Sequence, residues 1–167
     1  MLKSQDILPL VILLQHHRYV FVSQFAFAQK LGWAPSSLHR SLERLTKCGL
    51  WYPSQQCVNG HGVFELLRYG VRYVFPPVLM APCRGVVTGC LPEIAQPELP
   101  YVWPSEQGGH FGVGVQPLDK SFPKVAMENP DLSQGLHLVE AFRLGRKREV
   151  VIATKLLQEL LAEGERH

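Results

Sequence analysis

VSQFAFAQKLGWAPSSLHRSLERLTKCGLW, residues Val22 to Trp51, is the stretch whose reading decides the fold. Its pattern predicts two short helices joined by a tight turn. Ser23 is placed to N-cap the first, Phe27, Ala28 and Leu31 form its apolar face, and Gly32 stops it. The second opens at Pro35, whose missing N–H falls where a helix leaves N–H groups unpaired anyway. Leu38, Leu42 and Leu45 then recur at i, i+4 and i+7, one stripe of a helix ending by Gly49. Ser36, Ser37, His39, Arg40, Ser41 and Arg44 make the opposite stripe. One buried stripe backed by short polar and arginine side chains is what a helix reading the DNA major groove requires.

Ala28-x2-Leu31-Gly32, followed by Leu38-x-Arg40-x-Leu42-x2-Leu45-x3-Gly49-Leu50, resembles the helix-turn-helix of winged-helix bacterial regulators, broadly the MarR-like class. The resemblance covers about 30 residues, and a fuller winged-helix reading covers residues 1–75. It implies a cytoplasmic, dimeric transcriptional regulator that binds double-stranded DNA. Two departures stand out: Ala34 occupies the position where the family usually has a Ser or Thr cap, and no basic wing hairpin follows the second helix.

Composition sets the bounds around this stretch. The chain has 167 residues, 46% hydrophobic and 19% charged, enough for one medium domain or a small domain with an extension. Cys48, Cys57, Cys83 and Cys90 lack the spacing of a zinc finger or a disulfide framework, so reduced thiols of a cytosolic protein are expected. The apolar run Ile7–Leu14 is too short to span a membrane and lacks signal-peptide flanks. Residues 1–75 carry eight basic and three acidic side chains, a net of +5, which leaves −2 for the rest. An electropositive N-terminal half suits counterion release from phosphates.

Along the chain, residues 4–15 read as a first helix capped by Ser4 or Asp6 and ended by His16, His17 and Arg18. Apolar positions surround it, which implies burial on more than one side. Tyr19–Val22 reads as a short strand. Leu50-Trp51-Tyr52 reads as the start of another, before a turn at 53–56. Asn59 caps a helix over Gly60–Tyr69 with Gly70 as its stop, and Val71–Phe75 reads as a strand. Residues 76–104 hold seven prolines and read as an ordered, apolar strap without a regular central strand. Tyr101–Trp103 and Phe111–Val115 flank Gly108-Gly109 as a loose hairpin. Helices follow from Ser121 to about Asn129, from an Asp131 cap to Leu144, and over Arg146–Glu163. The expected fold is therefore α+β and mainly helical. Its parts are a winged helix-turn-helix domain (1–75), the strap (76–104), and a C-terminal hairpin and helices (105–167) for bracing, dimerisation or partner binding.

The candidate DNA-binding residues are Ser36, Ser37, His39, Arg40, Arg44, Lys47 and Lys30. Arg40 and His39 are placed for bases, Ser36 and Ser37 for phosphates or bases at the helix N-terminus, and Arg44, Lys47 and Lys30 for phosphates. Arg143, Arg146, Lys147 and Arg148 cluster between the last two helices, as DNA-flanking contacts, an acidic-partner site or a solvated turn. The leucine stripe of the last helix is either core or a dimer surface. The seven histidines have no acidic or cysteine partner at ligand spacing, so no metal or cofactor is expected. Cys83-Arg84-Gly85 and Thr88-Gly89-Cys90 read either as a reactive thiol beside an arginine or, more plainly, as a turn held by glycines. No nucleophile motif or carboxylate pair appears, and the run 108–114 lacks the Lys-Ser/Thr of a phosphate loop. A non-enzymatic protein follows: a DNA-binding regulator, or an antitoxin-like or adaptor protein using the same module for a partner encoded nearby.

Overall fold

The computed structural model describes residues 1–165, and for residues 16–22 and 165 the course of the backbone alone. The fold is α+β. After a 3-10 turn at Ser4–Asp6 come α1 (Ile7–Val22), α2 (Gln24–Leu31), α3 (Pro35–Lys47) and a hairpin of β1 (Trp51–Tyr52) and β2 (Cys57–Val58). Then follow α4 (Gly60–Glu65), a π turn (Leu66–Gly70), α5 (Val71–Val74), β3 (Leu79–Val87), β4 (Tyr101–Pro104) and β5 (His110–Val115). Helices α6 (Phe122–Glu128), α7 (Pro130–Leu144) and α8 (Lys147–Glu165) close the chain.

Helix α1 is the centre of the molecule. Ile7, Leu8 and Leu10–Leu14 are all buried, as their all-round apolar pattern predicts. One side meets α2 and α3, the other α7 and α8. Gly135 permits the close crossing with α7, because a Cβ there would lie 2.5 Å from Val11 Cγ1. The helix does not end at His16–Arg18, and Tyr19–Val22 is its last turn rather than a strand. The break comes at Ser23, whose extended backbone leaves the helix and whose Oγ caps α2 by accepting from the Ala26 N–H at 3.2 Å.

A second strand expectation fails for a similar reason. The Asn59 cap is as expected, its Oδ1 accepting from the Gly62 N–H at 3.0 Å. Gly70, however, does not stop the helix: the π turn carries the chain on into α5, so Val71–Val74 is helical. Val63, Leu67 and Val71 are spaced every four residues, and the wider turn keeps all three buried on one side. Packing decided against β propensity here.

The proline-rich segment 76–104 is only partly a strap. It contributes the nine-residue strand β3, which pairs with both β4 and β5. Pro82 is accommodated where the β3–β5 register shifts between Met80 and Cys83, a position that needs no ladder N–H. The second half of β3 pairs with β4 (Val87↔Val102) and the first with β5 (Leu79↔Val115), both antiparallel. Strands β4 and β5 do not form a hairpin. They pair in parallel (Tyr101↔Val113, Val102↔Gly114), closing a three-stranded barrel. Glycine permits closure this tight: a Cβ at Gly85 would lie 2.1 Å from the Trp103 carbonyl oxygen, and one at Gly112 2.1 Å from that of Pro100. Gly108, Gly112 and Gly114 of the glycine-rich run 108–114 are thus explained by packing.

Trp103 of β4 docks the barrel on the helices. It meets Phe122 edge-on at 5.7 Å and stacks on His137 of α7 at 5.5 Å. Burial pushes the Glu140 carboxyl up, while Arg143 and the nearby Trp103 indole hold it down. Helix α7 begins at Pro130, one residue before the expected Asp131 cap. One contiguous hydrophobic core runs from Ile7 to Leu157 and joins the segments 1–75, 76–104 and 105–167. The stripe of α8 serves that core: Val150, Ala153 and Leu157 are buried, and Leu156, Leu160 and Leu161 are half-buried against it.

Candidate nucleic-acid interface

Helix α3 starts at Pro35 after an Ala34 cap that supplies no side-chain bond, and the turn before it is Gly32 at φ +67°. Trp33 in that turn donates through Nε1 to Ser121 Oγ at 3.3 Å, tying the α2–α3 connection to α6. Leu38, Ser41, Leu42 and Leu45 face inward and are buried. Ser36, His39, Arg40, Glu43, Thr46 and Lys47 are exposed, and Ser37 is half-buried. Lys30, on α2, is exposed as well.

The two arginines of α3 have different fates. Arg40 Nε donates to the Ser36 carbonyl at 3.2 Å along its own helix, and the side chain is exposed. Arg44 turns inward, its Nε 2.8 Å from Asp6 Oδ2 and its Nη2 2.7 Å from Asp6 Oδ1. Asp6 is fully buried and also accepts from the Ser41 hydroxyl and, at 2.8 Å, from the Lys3 N–H. The hydrogen bond to Asp6 raises the Arg44 guanidinium above its already high value, so Arg44 stays charged. Arg44 therefore ties α3 to the N-terminal turn, and Ser41 leaves the polar face with it. Charge on the outer face comes from Arg40, Lys47 and Glu43. Glu43 carries no charge that favours DNA phosphates, so a search for basic side chains passes over it.

A hairpin follows α3 after all. Trp51 pairs with Val58 and Tyr52 with Cys57, around a tip of Pro53, Ser54, Gln55 and Gln56. Asn59 locks it to the end of α3, its Nδ2 donating to the Gly49 carbonyl at 2.8 Å. Ser54, Gln55 and Gln56 of the exposed tip are polar, and none of the tip's side chains is basic. Between tip and helix lies a shallow groove of about 300 Å³, lined by His39, Glu43, Lys47 and Pro53 among others.

The basic cluster after α7 divides. Arg143 is buried, donating to Glu140, to the Phe75 carbonyl at 2.8 Å and to the Pro76 carbonyl at 3.1 Å. It therefore fixes the end of α5 to α7, while Arg146, Lys147 and Arg148 are exposed. Burial pushes the Cys90 thiol up, which makes it a poor nucleophile, and Gly89 stands at φ +68°, as a glycine-held turn requires. Among the described residues no three His, Cys, Asp or Glu side chains gather around a common point, and His16 and His17 lie outside the described side chains. No helix among the described residues is long and apolar enough to cross a membrane. Compared with family models, curated proteins and solved structures, the chain matches none of them.

Proposed function

We propose that the chain is a sequence-specific double-stranded DNA-binding protein of winged-helix type, acting as a cytoplasmic transcriptional regulator with α3 in the major groove. The observation that carries this reading is the two-sidedness of α3. Its leucines are buried, and a continuous polar face of Ser36, His39, Arg40, Glu43 and Lys47 is left to solvent. Helix α2 precedes it and the β1–β2 hairpin follows it, which supports the winged-helix reading. Arg40 and His39 then meet base edges, and Glu43 accepts from a cytosine amino group. Ser36 and Ser37 hold phosphate at the helix N-terminus, and Lys47 and Lys30 meet the backbone. A homodimer would present two such helices to half-sites about 34 Å apart.

The test is fluorescence anisotropy with the gene's own upstream duplex and a scrambled one, at low and near-physiological salt. Preference for the upstream duplex that persists at the higher salt supports the proposal. Equal, steeply salt-dependent binding to both leaves only a basic surface.

A second reading, an antitoxin-like or adaptor protein, draws on the exposed face of the helical run 60–74. Tyr69, Tyr73 and Val74 are exposed there beside Arg68 and Arg72, with the Arg68 guanidinium 4.9 Å from the Tyr69 ring. Tyrosine and arginine are the residues that dominate protein–protein hot spots. Co-purification of a neighbouring gene product, together with no DNA affinity, would favour it.

A further inference from the structure

Residues 66–73, LLRYGVRY, carry the pair Arg-Tyr twice, four positions apart, as Arg68-Tyr69 and Arg72-Tyr73. Leu67 and Val71 are buried, so both pairs fall on the outer side of the helical run 60–74. Tyr69 is 59% exposed and Tyr73 77%. The Arg68 guanidinium lies 4.9 Å from the Tyr69 ring centre and that of Arg72 6.0 Å from the Tyr73 ring centre, the range of a cation–π contact. Phe64 braces Tyr69 edge-on at 6.2 Å. Each guanidinium covers one face of its ring and leaves the other to solvent.

Charge on this side is positive. Over residues 60–92 the chain has Arg68, Arg72 and Arg84 against a single acid, Glu65, which already faces His61 at 3.5 Å. Among the described residues neither Arg68 nor Arg72 is in an ion pair, so their N–H edges remain for an anion. An open aromatic face takes a planar base, and the guanidinium fork beside it takes a phosphate. Four residues of helix advance about 6 Å, close to the repeat of one nucleotide in an extended single strand. A duplex keeps its base faces inside the stack, where these rings have no access to them. Protein hot spots also use Tyr and Arg, but a protein partner gives no reason for the pair to recur at a nucleotide's spacing.

We propose that the tandem Arg-Tyr face binds single-stranded nucleic acid, with successive bases on Tyr69 and Tyr73 and their phosphates on Arg68 and Arg72. The site uses no residue of α3 and stands whether or not α3 reads a duplex. The test is anisotropy of the full chain with a fluorescein-labelled oligothymidylate of about twelve nucleotides, over a salt series, beside a duplex of the same length. Saturable binding of the single strand is expected. Tyr69→Ala with Tyr73→Ala should weaken it about tenfold or more. Tyr69→Phe with Tyr73→Phe should keep it, because the ring face stacks and the hydroxyl does not. Arg68→Gln with Arg72→Gln should flatten the slope of log affinity against log salt by about 1.4, the share of two phosphate contacts on a single strand. Absence of saturable strand binding, the result expected of a face that holds a protein, would overturn the proposal. So would strand binding that survives the alanine pair, an unchanged salt slope in the glutamine pair, or an equal loss of duplex binding in the alanine pair, in variants whose circular dichroism matches the parent.

Discussion

Without the Arg44 guanidinium, the buried Asp6 carboxylate keeps only the Ser41 hydroxyl and one backbone N–H as partners. Breaking one side of a buried ion pair leaves an uncompensated charge, so Arg44→Ala should lower the unfolding free energy by about 3 kcal/mol in urea titrations. Arg40→Ala, at an exposed position one turn earlier, should change stability by less than ~0.5 kcal/mol. On the proposed function it should still weaken specific duplex binding about tenfold in anisotropy. A folded Arg40→Ala that binds DNA unchanged would remove α3 from the reading. His137 gives a residue-scale prediction in pH. Burial holds its imidazole below the ordinary 6.5, so the folded chain resists a proton that the unfolded chain takes up. Below 6.5 the unfolded state binds more protons, so this stability is fully present above 6.5 and is lost as pH falls toward the folded value. Glu140, raised by burial, acts with the opposite sign, so the two must be separated. The urea midpoint of His137→Gln should therefore fall less than that of the parent between about pH 7.5 and pH 5.5. Parallel profiles would show that His137 is not held neutral by the fold.

At the scale of the element, the barrel depends on backbone approaching backbone. Gly112→Ala puts a methyl 2.1 Å from the Pro100 carbonyl oxygen, a clash with main chain that no rotamer relieves. A loss above ~3 kcal/mol, or failure to fold, is expected by thermal unfolding. Gly109, three residues earlier in the same glycine-rich run, has nothing within 4 Å of a Cβ and no positive φ. Gly109→Ala should therefore fall within about 0.5 kcal/mol of the parent. If the two variants melt alike, the parallel closure of β4 on β5 is wrong.

The whole molecule shares one core, and α1 is its shared element. Cutting after residue 75 would remove α7 and α8 from the back of α1, exposing buried leucines and isoleucines. The loss of Arg143 would also release the Phe75 carbonyl. The fragment 1–75 is expected to lack a cooperative thermal transition and to give poorly dispersed amide spectra. A fragment that folds and melts cooperatively would make residues 1–75 an independent domain.

Local chemistry made much of the chain legible. Ser23, Gly32, Pro35, Gly49, Asn59 and Gly145 mark helix ends through backbone demands that operate within a few residues. The leucine spacing of α3 and α8 shows which face turns inward. What the sequence by itself determined was therefore the helix pair, its two-sided second helix and the helical C-terminus. Other features rest on residues far apart in the chain and have no local trace. Arg44 looks like a surface arginine until Asp6, 38 positions earlier, is folded against it. Val71–Val74 and Tyr19–Val22 have β-type composition, yet both continue helices. Pro82 argues against a strand until a bulge removes the need for its N–H. The parallel pairing of β4 with β5 exists only once the strands meet. Tertiary structure decided these because burial and unpaired polar groups are settled by what lies across a contact, not by the neighbours along the chain.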